Sequence, residues 1–267
     1  MRVPIGLVLA LLATVVVFAA YLFPTHEQVG QALQQGGRLD EALQYYLAAM
    51  RADPTDEPIR VRVASVYEQR GQPDDAIALY RELTVLDPND LGYRRQLATL
   101  YDWSLRIDES MAQKEKIAEL DPKDVATRLS LADYYVLQRK DYAAATRMLE
   151  QVVAVRPNDA DALMELARLY TQTHRIPEAL ETYRRAQQED PDNPAVGRAL
   201  ARLQSWNTQM QEAIARDRQT LEASPTDAAT LANLEALLRR TGQEAEAETI
   251  RQQRAAATGA PAGTGEQ

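Results

Sequence analysis

The most regular feature of the chain is its apolar pattern after residue 23. Apolar and small residues recur at steps of three and four, which is typical of helices that bury one face. In one unit, IRVRVASVYEQR precedes Gly71 and PDDAIALYRELTVL precedes Pro88, so a glycine interrupts the pattern and a proline ends it. Each unit is therefore predicted to be two amphipathic helices joined by a tight turn. Asp and Asn residues beside the proline are expected to cap the next helix.

This unit repeats along the chain. The closing prolines stand at positions 54, 88, 122, 157, 191 and 225, so the period is 34 residues with a single interval of 35. The period predicts about six repeats and a C-terminal capping repeat over residues 24–254. Because an isolated helix pair cannot bury its apolar face, each pair is expected to pack against the next.

The repetition extends to the residue types inside the unit. The first helix carries a large apolar residue, a small residue and an aromatic one, and the second carries a small residue, an aromatic and an apolar one. In the second repeat these are Val63, Ala64, Tyr67, Ala76, Tyr80, Leu83 and Pro88. The unit resembles the tetratricopeptide repeat. The resemblance implies an all-α fold, a right-handed α-solenoid of helix pairs, in which Tyr67, Tyr101, Tyr135 and Tyr170 fill the space between repeats.

The N-terminal segment differs from the repeats. No charge occurs from Val3 to Thr25, and residues 5–23 are almost entirely apolar. As a helix they would be about 28 Å long, close to the ~30 Å core of a bilayer. We therefore expect residues 5–23 to be a transmembrane helix that acts as a signal anchor, with residues 1–4 kept in the cytoplasm by Arg2.

This anchor predicts a single-pass protein of the bacterial inner membrane, with the lipid bilayer as one partner and the repeats in the periplasm. A cleaved signal peptide and an array that faces the cytoplasm are the alternatives. At the other end, EAEAETIRQQR is polar enough for a helix that caps the array. Residues 255–267 are small and flexible, and are expected to form a disordered tail.

Composition excludes several classes of chemistry. The chain has no cysteine and two histidines, so disulfides, thiolate zinc sites and cysteine nucleophiles are excluded and a His-rich metal site is not expected. The net charge of −9 argues against nucleic-acid binding. No nucleophile motif, phosphate loop or metal set is visible, so we expect no enzyme activity, no cofactor and no metal. His174 is expected to be a solvated turn residue.

Partner binding is what remains, because the resemblance implies that the first helix of each repeat lines a groove for extended peptides or partner helices. The carboxylate clamp of chaperone-binding members is missing, since Glu27 and Gln31 occupy its positions in the first repeat. The inward positions mix apolar side chains with charges, which suits protein recognition. The predicted groove residues are Arg95, Asp102, Trp103, Asp133, Met164, Arg168, Arg198, Arg202 and Trp206.

The two tryptophans lie in similar contexts, LYDWSLRIDESM and LQSWNTQMQEAI, and both lack the usual turn glycine. Each indole either fills a gap that a degenerate turn leaves or contacts a partner. The predicted function is a membrane-tethered scaffold for protein–protein interactions in a periplasmic cell-envelope complex. The alternatives are a component of exopolysaccharide biosynthesis or export, in which tryptophans stack on polysaccharide, and the same scaffold facing the cytoplasm.

Overall fold

The computed structural model describes residues 24–258, which form helices and turns without a strand. The chain divides into two compact units, one ending at Pro122 and the other beginning at Lys123. The first unit contains three helix pairs. They are α1 (His26–Gln35) with α2 (Leu39–Ala52), α3 (Glu57–Gln69) with α4 (Pro73–Leu86), and α5 (Leu91–Trp103) with α6 (Ile107–Leu120).

The second unit contains the remaining described helices. They are α7 (Val125–Tyr134), which continues into a π-helical turn (Tyr135–Arg139), α8 (Tyr142–Val155), α9 (Ala160–Gln172), α10 (Ile176–Glu189), α11 (Pro194–Ala223), α12 (Ala228–Arg240) and α13 (Glu244–Thr258). Helices α9 and α10 pack as one pair, and so do α12 and α13. The prediction of an all-helical array of repeats is confirmed.

Each regular pair is closed by small residues that let two helices approach. Ala64 of α3 and Ala76 of α4 are both fully buried in one apolar cluster. Ala167 of α9 and Ala179 of α10 are equally buried in the second unit. In the first pair the small residue is Gly30, where an added Cβ would lie only 2.7 Å from the ring of Tyr46.

The turns between repeats are held by the predicted caps. Asp56, Asp90, Asp124, Asp159 and Asp227 each accept a hydrogen bond from a backbone N–H in the first turn of the helix that follows. Such a cap satisfies donors that an isolated helix end leaves free. The acidic residues beside the closing prolines are thus accounted for as cap and turn residues.

Inside each pair, the turn requires one residue with a positive φ. These residues are Gly37, Gly71, Leu105, Lys140, His174 and Gly242. They follow the repeat period, and the interval of 35 residues is absorbed by the π-helical turn before Lys140, since such a turn accommodates one extra residue. The period has one gap, at Thr208.

The sixth repeat differs from the prediction of a helix pair, because α11 is one continuous helix of 30 residues. Thr208 is β-branched and cannot readily adopt a positive φ, and its hydroxyl donates to the Gln204 carbonyl at 3.0 Å, as in a helix interior. The first half of α11 packs in the cluster of α9 and α10, and the second half packs with α12 and α13. Ala201, which a closed pair would bury, is exposed.

The localisation prediction is corrected. Among residues 24–258, no helix combines the length and the apolar character that crossing a membrane requires. The segment predicted as the anchor, residues 5–23, lies outside the described residues. The structure therefore does not support single-pass anchoring in the inner membrane, and we withdraw that assignment together with the periplasmic location.

The C-terminal helix is longer than expected. Helix α13 continues to Thr258 and so includes the first residues of the predicted tail. Residues 259–267 lie outside the described part of the chain.

Tyr170 illustrates how neighbouring repeats are joined. Its hydroxyl donates to Glu150 Oε1 at 2.8 Å, and the Arg175 guanidinium lies 4.2 Å from the centre of its ring. Arg175 Nη1 also donates to Glu150 at 2.9 Å. Burial and the hydrogen bond to Glu150 raise the pKa of Tyr170 to about 12.

The first prediction compares two alanines at the same position of the repeat. Ala167→Leu should reduce the free energy of unfolding by about 1–3 kcal/mol, because the buried site has no room for extra methylenes. Ala201→Leu should change it by less than about 0.5 kcal/mol, because the side chain is exposed. Urea unfolding followed by Trp206 fluorescence, with Trp103 replaced by Phe, measures both. Equal losses would mean that the sixth repeat closes as a pair.

The second prediction concerns alkaline pH. Because the pKa of Tyr170 is raised in the folded state, the folded chain holds this proton at a pH where the unfolded chain loses it. Its contribution to stability is complete below pH ~10 and is lost as pH rises from ~10 to ~12. Over that interval the free energy of unfolding of Tyr170→Phe should fall less than that of the parent, and below pH ~10 the two should change with pH in parallel. Identical slopes in urea titrations at each pH would contradict this.

Candidate functional site: a cleft in the second unit

The second unit contains a cleft of about 310 Å³. The end of α9 with its turn, α10, the first half of α11 and the end of α12 surround it. Its lining residues are Thr171, His174, Ile176, Tyr183, Ala199, Arg202, Leu203, Trp206 and Arg240. Four helices thus contribute to a concave site within one compact unit.

The cleft exists because α11 does not turn back after Trp206. Helix α12 instead returns along the second half of α11, and the turn after it reaches the α9–α10 turn. Gly242, with φ +78°, lies so close that an added Cβ would be 2.2 Å from the carbonyl oxygen of His174. Only glycine satisfies both the backbone conformation and this approach. The contact closes one end of the cleft.

The cleft combines an apolar floor with positive charge. Ile176 and Leu203 are buried, and the Trp206 indole is half-buried beside them. Arg202 and Arg240, whose side chains are exposed, line the same space. Within residues 24–258 neither arginine forms an ion pair with a carboxylate. Such a site can hold an apolar side chain and a carboxylate together.

Tyr183 supplies a further polar group to the cleft. Burial raises the pKa of its hydroxyl and Glu165 raises it further, whereas the nearby Arg168 and Arg202 lower it. A phenol is protonated at neutral pH even at its usual pKa of about 10, and the raised pKa of Tyr183 extends this to more alkaline conditions. A protonated phenol can donate a hydrogen bond to an acceptor.

Of the residues predicted to line a groove, the structure brings Arg202 and Trp206 together in the cleft. Arg198 is exposed on the same helix but does not line it. Arg168 forms an ion pair with Glu165 at 2.8 Å. Met164 is half-buried and Asp133 is exposed, and neither lines the cleft.

The predicted residues of the first unit do not form a comparable cluster. Arg95 pairs with Asp121 at 3.4 Å. Asp102 accepts a hydrogen bond from Lys114 Nζ at 3.0 Å. Trp103 is 68 % exposed at the end of α5, so it does not fill a gap in the core. The interpretation of this indole as packing is therefore wrong.

Sequence reasoning missed His174, Tyr183 and Arg240. His174 is the exposed turn residue that was expected, and from that turn, with φ +60°, it also lines the cleft. Arg240 reaches the site only because α12 returns along the continuous α11. No signal near Arg240 in the sequence indicates this, since the approach depends on a helix that begins 46 positions earlier, at Pro194.

Comparison with known proteins identifies the repeat. A family model described as tetratricopeptide repeat matches residues 33–101 and 136–203. No curated protein matches the chain at a significant level.

Several solved structures are similar to this chain. One is MamA, 18 % identical over 61 % of this chain and 95 % of that one, with a TM-score of 0.43. Another is the C-terminal part of a repeat-containing protein from Cytophaga hutchinsonii, 22 % identical over 66 % and 72 %, with a TM-score of 0.47. A third is YrrB, described as having an unusual peptide-binding site, 13 % identical over 80 % and 92 %, with a TM-score of 0.41. At these TM-scores none bears on the function of the cleft.

The third prediction tests the contact that closes the cleft. Gly242→Ala should destabilise the second unit by about 1–2 kcal/mol for the positive φ and by a further ~1–3 kcal/mol for the clash with the His174 carbonyl. Gly71→Ala is the matched control, because Gly71 has φ +68° but open space around it. Gly71→Ala should lower the free energy of unfolding only by the cost of the positive φ. Urea unfolding, followed by the tryptophan of each unit, measures the difference, and equal costs would refute the close contact.

Proposed function

The chain belongs to the tetratricopeptide repeat family, and on that basis we propose that it is a scaffold that binds protein partners, with the cleft of the second unit as a docking site. The observation that carries this proposal is the half-buried indole of Trp206 beside two guanidinium groups without carboxylate partners in the described chain. Aromatic and arginine side chains in a concave site are the residues that dominate binding energy at protein interfaces.

The chemistry of the cleft selects the partner. A volume of about 310 Å³ accommodates a few side chains rather than a folded domain. An apolar side chain would rest against Trp206, and a neighbouring carboxylate would pair with Arg202 or Arg240. The ligand that fits is therefore an exposed acidic segment of another protein that carries a large apolar residue.

The net charge of the chain makes this local selectivity important. At −9 the molecule as a whole repels acidic partners at long range, so attraction depends on the short-range field of the two arginines. Binding should weaken as ionic strength rises, because part of the arginine field acts through solvent.

The alternative of a polysaccharide ligand in an export system has less support. It relied on two tryptophans that act alike. Trp103 and Trp206 lie in different compact units, and of the two only Trp206 lines the cleft.

The fourth prediction uses Trp206 as its own reporter. In a Trp103→Phe background, a synthetic peptide rich in Glu and Leu should change the fluorescence of Trp206 in a saturable manner. A peptide in which Lys replaces every Glu should not. Arg202→Glu should weaken binding of the acidic peptide at least about tenfold, because it removes a charge partner and adds repulsion.

Arg198→Glu is the matched control for this experiment. It makes the same charge change at an exposed position of the same helix, outside the cleft. Binding of the acidic peptide should therefore change by less than about twofold. Equal weakening by both variants would mean that only overall charge matters. No fluorescence response to the acidic peptide would overturn the docking site.

A further inference from the structure

A second concave surface lies in the first unit, and none of the residues predicted to bind a partner lines it. It is a groove of about 690 Å³ formed by α4, α5 and α6, with Arg60 of α3 at one end. Leu97 and Tyr101 of α5 form its buried floor. All of its lining residues belong to the first compact unit.

An arginine lines the groove at a position of the repeat that can also be apolar. Arg94 stands where the fifth repeat buries Leu163 completely. Arginine holds the same position in the second and fourth repeats, as Arg60 and Arg128. The guanidinium of Arg94 turns away from the core, and Nε and Nη2 donate to the Pro88 carbonyl at 2.9 and 2.6 Å. Nη1 donates to Gln113 on α6 at 3.2 Å. Arg94 therefore lines the groove with its guanidinium bound to two neutral acceptors.

One wall of the groove is apolar and exposed to solvent. Val85 and Leu86, at the end of α4, are 78 % and 53 % exposed. Adjacent exposed aliphatic side chains above a buried apolar floor are unfavourable in an isolated molecule, and such patches commonly mark interaction sites. A large apolar side chain of a partner would cover both.

The charges around the groove are unbalanced. Arg60, Arg81 and Arg94 line it, and the one carboxylate among the lining residues is Glu82. Glu82 pairs with Arg60 at 3.7 Å. Arg94 is held by neutral acceptors, and Arg81 forms no ion pair within residues 24–258. A net positive groove on a chain of net charge −9 calls for carboxylates from a partner.

We propose that this groove is a second docking site, which binds an acidic protein segment through a large apolar side chain on Leu97 and Tyr101 and carboxylates at Arg81 and Arg94. The occupant is a protein segment rather than a nucleic acid, because two exposed aliphatic side chains form a wall and the chain carries a net charge of −9. With the cleft of the second unit, the chain would hold two acidic segments at once. The groove does not depend on the cleft for its binding.

The experiment maps where a probe binds on the full chain. A synthetic peptide rich in Glu and Leu, carrying one benzophenone side chain, is photo-crosslinked to the protein, and the attachment sites are identified by mass spectrometry. Crosslinks on α4 and α5 are expected, and Arg81→Glu and Val85→Ser should each reduce them at least about fivefold. Both side chains are exposed, so folding should be retained, and far-UV circular dichroism checks it.

Arg51→Glu is the matched control, since it reverses a charge on an exposed arginine of the same unit outside the groove. It should leave the crosslinks on α4 and α5 unchanged. Crosslinks confined to α9–α12 would overturn the groove as a docking site and leave the cleft supported. Crosslinks confined to α4 and α5 would overturn the cleft and leave the groove supported. Displacement of the peptide by a single-stranded oligonucleotide at equal concentration would also overturn the proposal. So would a dimer in sedimentation experiments that Val85→Ser abolishes.

Discussion

Each helix pair depends on one residue that accepts a positive φ in its turn. Where glycine or a tolerant side chain occupies that position, the second helix folds back and small residues such as Ala167 and Ala179 are buried between the two. At Thr208 the β-branched side chain opposes this conformation, so the helix continues. A single backbone requirement, repeated with the period of the sequence, therefore decides where the array is regular and where it is not.

The cleft of the second unit is a consequence of that one failure. Because α11 continues, α12 returns along its second half and brings Arg240 and Gly242 to the α9–α10 turn. In a closed sixth pair the first helix would end near Trp206, and the contact between Gly242 and His174 would not form. The site thus combines ordinary repeat surfaces with one irregular helix, and its arginines come from the two consecutive helices α11 and α12.

The features that sequence predicts well here are local and periodic: the helix pairs, the aspartate caps and the buried tyrosines such as Tyr101 and Tyr170. The two tryptophan segments mark the limit. They look alike, yet Leu105 adopts φ +57° and ends one helix, whereas Thr208 continues the other. The difference lies in one residue of two otherwise similar segments, since β-branching makes threonine oppose a positive φ more strongly than leucine does, and the helical pattern does not reveal it. The apolar N-terminal segment similarly led to an inner-membrane location that the structure does not support.

Arginine has two distinct roles in this molecule, and the partner of each guanidinium distinguishes them. Arg95 and Arg175 are bound by carboxylates or an aromatic ring, and they join helices. Arg81, Arg202 and Arg240 lie on concave surfaces without a carboxylate partner in the described chain. The first group uses its charge within the fold. The second group makes no ion pair within the described chain, so its charge stays available. These arginines are therefore the positions at which a chain of net negative charge can still attract an acidic partner.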